Sequence, residues 1–113
     1  MQVIKSEDTL KGKSLQVKIK EKTLSIIFTW HALDAIKEYR FSIEEVLDFL
    51  LNPEEVIKGH GDRLIAHRRL NSHLARVIYE YDSNSIVVVT FYKAHVQRYY
   101  RGRSYEDKIL SGR

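Results

Sequence analysis

Hydrophobic and polar residues alternate from Leu15 onward, with Leu15, Val17 and Ile19 pointing one way and Gln16, Lys18 and Lys20 the other. A period of two predicts a half-buried strand. Glu21 and Lys22 make the turn, and residues 23–29 return with Leu24, Ile26 and Phe28 inward. Lysines on the first of these strands suit a sheet edge, where charge discourages pairing with another chain. Residues 1–13 are polar, Lys-rich and without period, which predicts a flexible arm ahead of the domain.

The period then lengthens. Over residues 30–40, Leu33, Ile36 and Tyr39 fall on one helical face, with Ala32 and Ala35 beside it. Phe41 and Ser42 break this helix and start another. Ser42 is a good N-cap, Glu45 three residues later completes a capping box, and Phe41 can staple onto Val46. The second helix presents Ile43, Val46, Leu47 and Leu50 to a core and Glu44, Glu45 and Asp48 to water, until Asn52 and Pro53 stop it. Only strand signals follow: a short run at 55–58, a turn at 59–62, then alternating runs at 63–70 and 74–81. Residues 86–91 are apolar on both faces and predict the central strand. The tail from His95 is basic and tyrosine-rich, with room for one more short helix or strand.

These elements predict an α+β fold, in which two short helices pack on a twisted antiparallel sheet with an extra N-terminal β-hairpin. A chain of 113 residues fits one such domain, assigned to residues 14–113. It contains no cysteine, which excludes disulfides and thiolate chemistry and agrees with a reducing, cytoplasmic setting. No apolar run approaches a membrane span, and no basic-then-apolar secretory signal opens the chain. Charge is divided unevenly: residues 1–57 carry 8 basic and 10 acidic side chains, residues 58–113 carry 11 and 5. Such asymmetry points to one face for an anion, nucleic acid above all.

Along the strand 74–81, Leu74, Arg76, Ile78 and Glu80 share a face. Helices cover only one side of a sheet, so the other could collect Arg76 with arginines of the preceding strand and Lys93. Cations that track phosphates, with rings that stack on bases, are the means by which single-stranded RNA is held. Tyr92, Tyr99, Tyr100 and Tyr105 lie among Lys93, Arg98, Arg101 and Arg103. Half-buried strand tyrosines and a solvated arginine rim would produce the same pattern. The five histidines show no short metal-ligand spacing, no glycine-rich loop opens a helix, and no cofactor motif is present. What remains is metal-free acid–base chemistry on RNA, with its own 2′-OH as nucleophile. His31, at the start of the first helix, is either a base or ligand contact or a packing residue.

Several short stretches are similar to a known family: His31-Ala32, Ile43-Glu44-Glu45-Val46, Leu51-Asn52-Pro53-Glu54 and Val87-Val88-Val89-Thr90-Phe91-Tyr92. They resemble uncharacterised domains related to the BrnT toxins, within the RelE/ParE-like toxin superfamily. Leu74-Ala75-Arg76-Val77-Ile78-Tyr79 is similar to that superfamily's arginine-bearing strand, and Lys93 followed by Tyr99 to the basic residue and later tyrosine of RelE-type ribonucleases. The resemblance implies a toxin-like endoribonuclease that cuts messenger RNA on the ribosome and an acidic antitoxin partner; a homodimer is compatible with it. On that reading Arg76 stabilises the phosphate, Lys93, Tyr99 and His31 are candidates for proton transfer, and Arg68, Arg98, Tyr92, Tyr100 and Arg101 hold RNA. A non-catalytic nucleic-acid-binding module, or a protein-interaction domain that receives an acidic peptide, would use the same basic face.

Overall fold

A computed structural model of the chain describes residues 1–107. Three strands come first: β1 (Gln2–Asp8), β2 (Gly12–Ile19) and β3 (Lys22–Thr29). Two helices follow, α1 (Trp30–Glu38) and α2 (Ile43–Leu51). Then come β4 (Glu55–Lys58), β5 (Leu64–Leu70), β6 (His73–Asp82), β7 (Ser85–His95) and a one-turn α3 (Val96–Tyr99).

The helix–helix link forms as its residues dictate. The Ser42 hydroxyl accepts from Glu45 N at 3.0 Å, and the Glu45 carboxylate accepts from Ser42 N at 2.9 Å. Both halves of the capping box are made. α1 ends two residues before the predicted Arg40, because Arg40 adopts a left-handed φ of 65°. Arg40 N bonds Lys37 O and Phe41 N bonds Ile36 O, which satisfies the last carbonyls of the helix. Phe41 then packs edge-on against Phe49 and Phe91. At the other end of α1, Thr29 Oγ1 accepts from Ala32 N and donates to Val89 O of β7, both at 3.0 Å. The first helix is thereby tied to the central strand.

The seven strands form one sheet in the order β1-β2-β3-β7-β6-β5-β4, with β7 at its centre. The sheet is mixed, which corrects the expectation of a wholly antiparallel one. β3 and β7 run parallel from Ser25↔Ser85 to Phe28↔Val88. After β3 the chain crosses by way of both helices to the far edge, then meanders back through three antiparallel pairings to reach β3 from the other side. Residues 2–8 are also not a free arm: β1 pairs antiparallel with β2. Gly12, which opens β2, has no room for a side chain, because a Cβ there would fall 1.9 Å from the Phe28 carbonyl oxygen of the neighbouring β3.

Both helices cover one face. Ala32, Ile36, Val46, Leu47 and Leu50 meet Val17, Ile26, Phe28, Val77, Tyr79, Val88 and Phe91 there in the main core. On the opposite face Ile57, Ile65 and Ile78 form a smaller cluster with Val89 and Tyr92. A bulge separates the two patterns on β7. Ile78 pairs with Thr90 but Tyr79 pairs with Val88, so Val89 is an extra residue. Without it Tyr92 would follow Val88 into the helix-covered core; with it Phe91 does, and Tyr92 turns to the open face. Re-aiming a side chain is a recurrent use of bulges.

The tail closes the edge of the sheet at β4. Beyond α3, Val56 N donates to Ser104 O at 2.6 Å and Glu106 N to Val56 O at 3.0 Å, which lays residues 104–106 along β4. Asp107 is buried and accepts from Tyr79 Oη at 2.6 Å and Tyr81 Oη at 2.7 Å. Among the described residues no helix is long and apolar enough to cross a membrane.

Candidate functional site

One row of residues crosses four strands on the open face. Glu55 of β4 lies opposite His67 of β5, His67 opposite Arg76 of β6, and Arg76 opposite Tyr92 of β7. Glu55 and His67 are wholly buried and Arg76 is 5% exposed. Their side chains form a chain of contacts. The His67 Nδ1 to Glu55 Oε2 distance is 2.6 Å. Arg76 Nε donates to His67 Nε2 at 3.0 Å, and Arg76 Nη1 donates to Tyr92 Oη. Arginine only donates, so Nε2 of His67 must hold a lone pair and Nδ1 must carry the proton, donated to Glu55.

His67 is therefore neutral. Burial holds its pKa below the ordinary value, and the nearby Arg76 charge acts in the same direction against the pull of Glu55. The carboxylate of Glu55 also accepts from Arg101 N at 3.0 and 3.2 Å. An ion pair is thus built at arm's length, with a neutral imidazole between carboxylate and guanidinium. Burying such charges is costly unless every polar atom is bonded, and this row bonds them in series.

Arg76 sits between aromatic rings. Its guanidinium carbon is 3.7 Å from the Tyr99 ring centroid and 5.0 Å from that of Tyr92, and the two rings stand nearly perpendicular. Burial lowers the Arg76 pKa, while Tyr92 and Tyr99 oppose that shift; arginine remains charged regardless. Burial also raises the Tyr92 phenol, so it stays protonated at neutral pH. Tyr99 reaches this position because α3 turns the chain back across the sheet. Arg98, on the same turn, stacks 5.6 Å from the Tyr99 ring.

These groups line an open groove of about 660 Å³. Its floor includes Ile57, Ile65 and Ile78, and its rim carries Lys58, His60, Arg63, Arg98 and Arg101. Among the described residues no side-chain carboxylate lines it; Glu80 pairs with Arg63 of the rim at 3.8 Å. Lys58, Arg76, Arg98 and Arg101 form no direct ion pair with a carboxylate among the described residues, and cations so placed in a concave, partly apolar site focus a positive field on whatever enters.

The groove collects Arg76, Tyr92, Arg98, Tyr99, Tyr100 and Arg101 of the sequence candidates. Three others lie elsewhere. Arg68 and Lys93 flank Ala75 in the neighbouring cross-strand row, which faces the helices. Side chains alternate between faces, so Arg68, next to His67 in sequence, and Lys93, next to Tyr92, must point away from the row that holds Arg76. Arg68 instead bonds Asn52 O at 2.8 Å and Asp48 at 3.2 Å on α2, and Lys93 is exposed. His31 is exposed on α1 and has no part in the groove. Arg76 does not pair with Glu80. Sequence reasoning missed Glu55 and His67; the signal was a buried-face position on each of two short strands, meaningful only once their register with Arg76 is known. Among the described residues no cluster of three metal-ligating side chains occurs.

No curated protein and no solved structure is significantly similar to this chain. Residues 28–93 match a family described as a domain of unknown function, DUF4258. The matched span runs from the end of β3 to Lys93 and holds Glu55, His67, Arg76 and Tyr92, whereas β1, β2 and the tail with Tyr99 and Arg101 lie outside it. It covers more than half of the 113 residues, and the chain belongs to the DUF4258 family.

Proposed function

We propose that the groove binds the sugar–phosphate backbone of single-stranded RNA, and that the protein is a toxin-like RNA-binding domain. One observation carries this reading: among the described residues, five cationic side chains and His60 line the groove, and no side-chain carboxylate does. Tyr92, Tyr99 and Tyr100 interleave with those cations and offer ring faces to bases. An acidic protein segment, such as an antitoxin would supply, fits the same charge. RNA is favoured because three tyrosines and an isoleucine floor suit bases as well as phosphates.

Cleavage is a second reading, favoured by the way Arg76 is held. In transesterification the 2′-OH loses its proton to a base and its oxygen bonds phosphorus. The 5′ oxygen then leaves and takes a proton, giving a 2′,3′-cyclic phosphate and a 5′-OH. Charge accumulates on the phosphate meanwhile, and a guanidinium fixed in advance stabilises it without reorganisation. The Glu55–His67 pair fixes Arg76 in that way. Tyr92, kept protonated by burial, can donate to the leaving oxygen, and His60 and Tyr99 are the other proton-exchanging groups of the groove.

Purified protein incubated with RNA, alone and on translating ribosomes, tests both readings. The cleavage reading expects cyclic-phosphate ends, lost by roughly 10²-fold or more in Arg76→Lys, with RNA still bound and chelators without effect. Binding without cut ends in either setting removes the enzyme and leaves the module; absence of binding removes both.

A further inference from the structure

The two edges of the sheet are finished differently. The β4 edge is closed by residues 104–106 of the same chain. The other edge is β1, whose seven residues are all exposed and whose outer side meets nothing among the described residues. Val3 and Ile4 on β1, with Met1 and Leu10 beyond its two ends, make up half of the eight large hydrophobic side chains left exposed among the described residues. An unpaired strand edge of this kind is a template for another strand.

We propose that β1 pairs antiparallel with β1 of a second copy about a two-fold axis through Ser6, joining two sheets into one. Charge selects both occupant and register. An axis normal to the sheet keeps each face with itself, so it must pass through a residue and its own copy. Lys5 or Glu7 at that point would set like charges opposite each other, which destabilises strand pairing. Ser6 at the axis sets Lys5 opposite Glu7 of the second copy, and Glu7 opposite its Lys5. Asp8 already pairs with Lys13 at 2.9 Å within the chain, whereas Lys5 and Glu7 have no ion-pair partner among the described residues. The register shift between Val3 and Lys5 limits regular pairing to the stretch around Ser6, where this complementarity lies. Lysine on an edge repels an arbitrary strand; here it meets its counter-charge only on a copy of itself.

The absence of cysteine makes the register directly testable. Opposed Cβ atoms lie about 4.5–5.5 Å apart in antiparallel pairs, close enough for a disulfide after slight adjustment. Ser6→Cys, oxidised mildly, is expected to give a cross-linked dimer, and Leu10→Cys, equally exposed but far from the axis, is not. In sedimentation of the unmodified chain, dimer should increase with concentration. Lys5→Glu should weaken it about tenfold by turning two opposite-charge pairs into like-charge ones, and adding Glu7→Lys should restore it. These residues are exposed and lie outside the core, so circular dichroism should be unchanged. A chain that stays monomeric at every concentration overturns the proposal and leaves this edge to a strand of another protein. Equal cross-linking at Leu10→Cys, or a double charge swap that restores nothing, overturns it as well.

Discussion

At the residue scale, His67 decides how the site responds to pH. It is buried and neutral, accepting from Arg76 and donating to Glu55. Its folded pKa lies below the unfolded value of about 6.5. The sign follows by linkage: below the unfolded pKa the unfolded chain takes up a proton that the native state refuses. Stability is then complete above pH 6.5 or so and falls as pH drops toward the folded pKa, by at most about 1.4 kcal/mol per unit for one group. His67→Gln removes that titration. Urea unfolding should show wild type more stable at pH 7.5 and the gap narrowing by pH 5; a gap constant with pH would contradict the neutral assignment. Arg76 and Tyr92 were legible because alternation and local basicity marked their strands. Glu55 and His67 were not, since nothing in a single strand tells which residue of another strand lies opposite it.

At the element scale, the helix–helix link was the most legible part of the chain, because capping chemistry is local. Ser42, Glu45 and the Asn52-Pro53 stop act within a few residues of one another. Ser42→Ala should lower unfolding free energy by about 1 kcal/mol. Arg40 has the opposite character: its φ of 65° suits glycine. Arg40→Gly should therefore raise stability by roughly 0.5–1 kcal/mol, and denaturant midpoints of the two variants should move in opposite directions. The bulge at Val89 was invisible to pattern. Residues 86–91 are apolar on both faces, so an inserted residue leaves no break in the alternation, yet it decides that Tyr92 and not Phe91 joins Arg76. Lys93 was misplaced by the same step, and β1 was missed because a strand exposed on both faces carries no hydrophobic period.

At the scale of the whole molecule, the order of elements was readable and the direction of one pairing was not. Hairpin turns announce antiparallel neighbours, whereas β3 and β7 are brought together by a long excursion whose return side no local signal records. The charge asymmetry was readable in sum, but its placement required the fold: Arg68 and Lys93 went to the helix face, and Arg98 and Arg101 to the groove. That division gives the most direct test of the account, that the open face holds RNA. Fluorescence anisotropy with a short single-stranded RNA, at several salt concentrations, should compare wild type with two double variants of partly or fully exposed residues. For three or four phosphates neutralised, the log–log salt slope of wild type should be roughly −2 to −3, at about −0.7 for each phosphate. Arg98→Ala with Arg101→Ala should weaken binding at least tenfold and flatten that slope by about 1.4, while Arg68→Ala with Lys93→Ala leaves both within twofold of wild type. Equal losses in the two double variants, or a slope near zero in wild type, would contradict it.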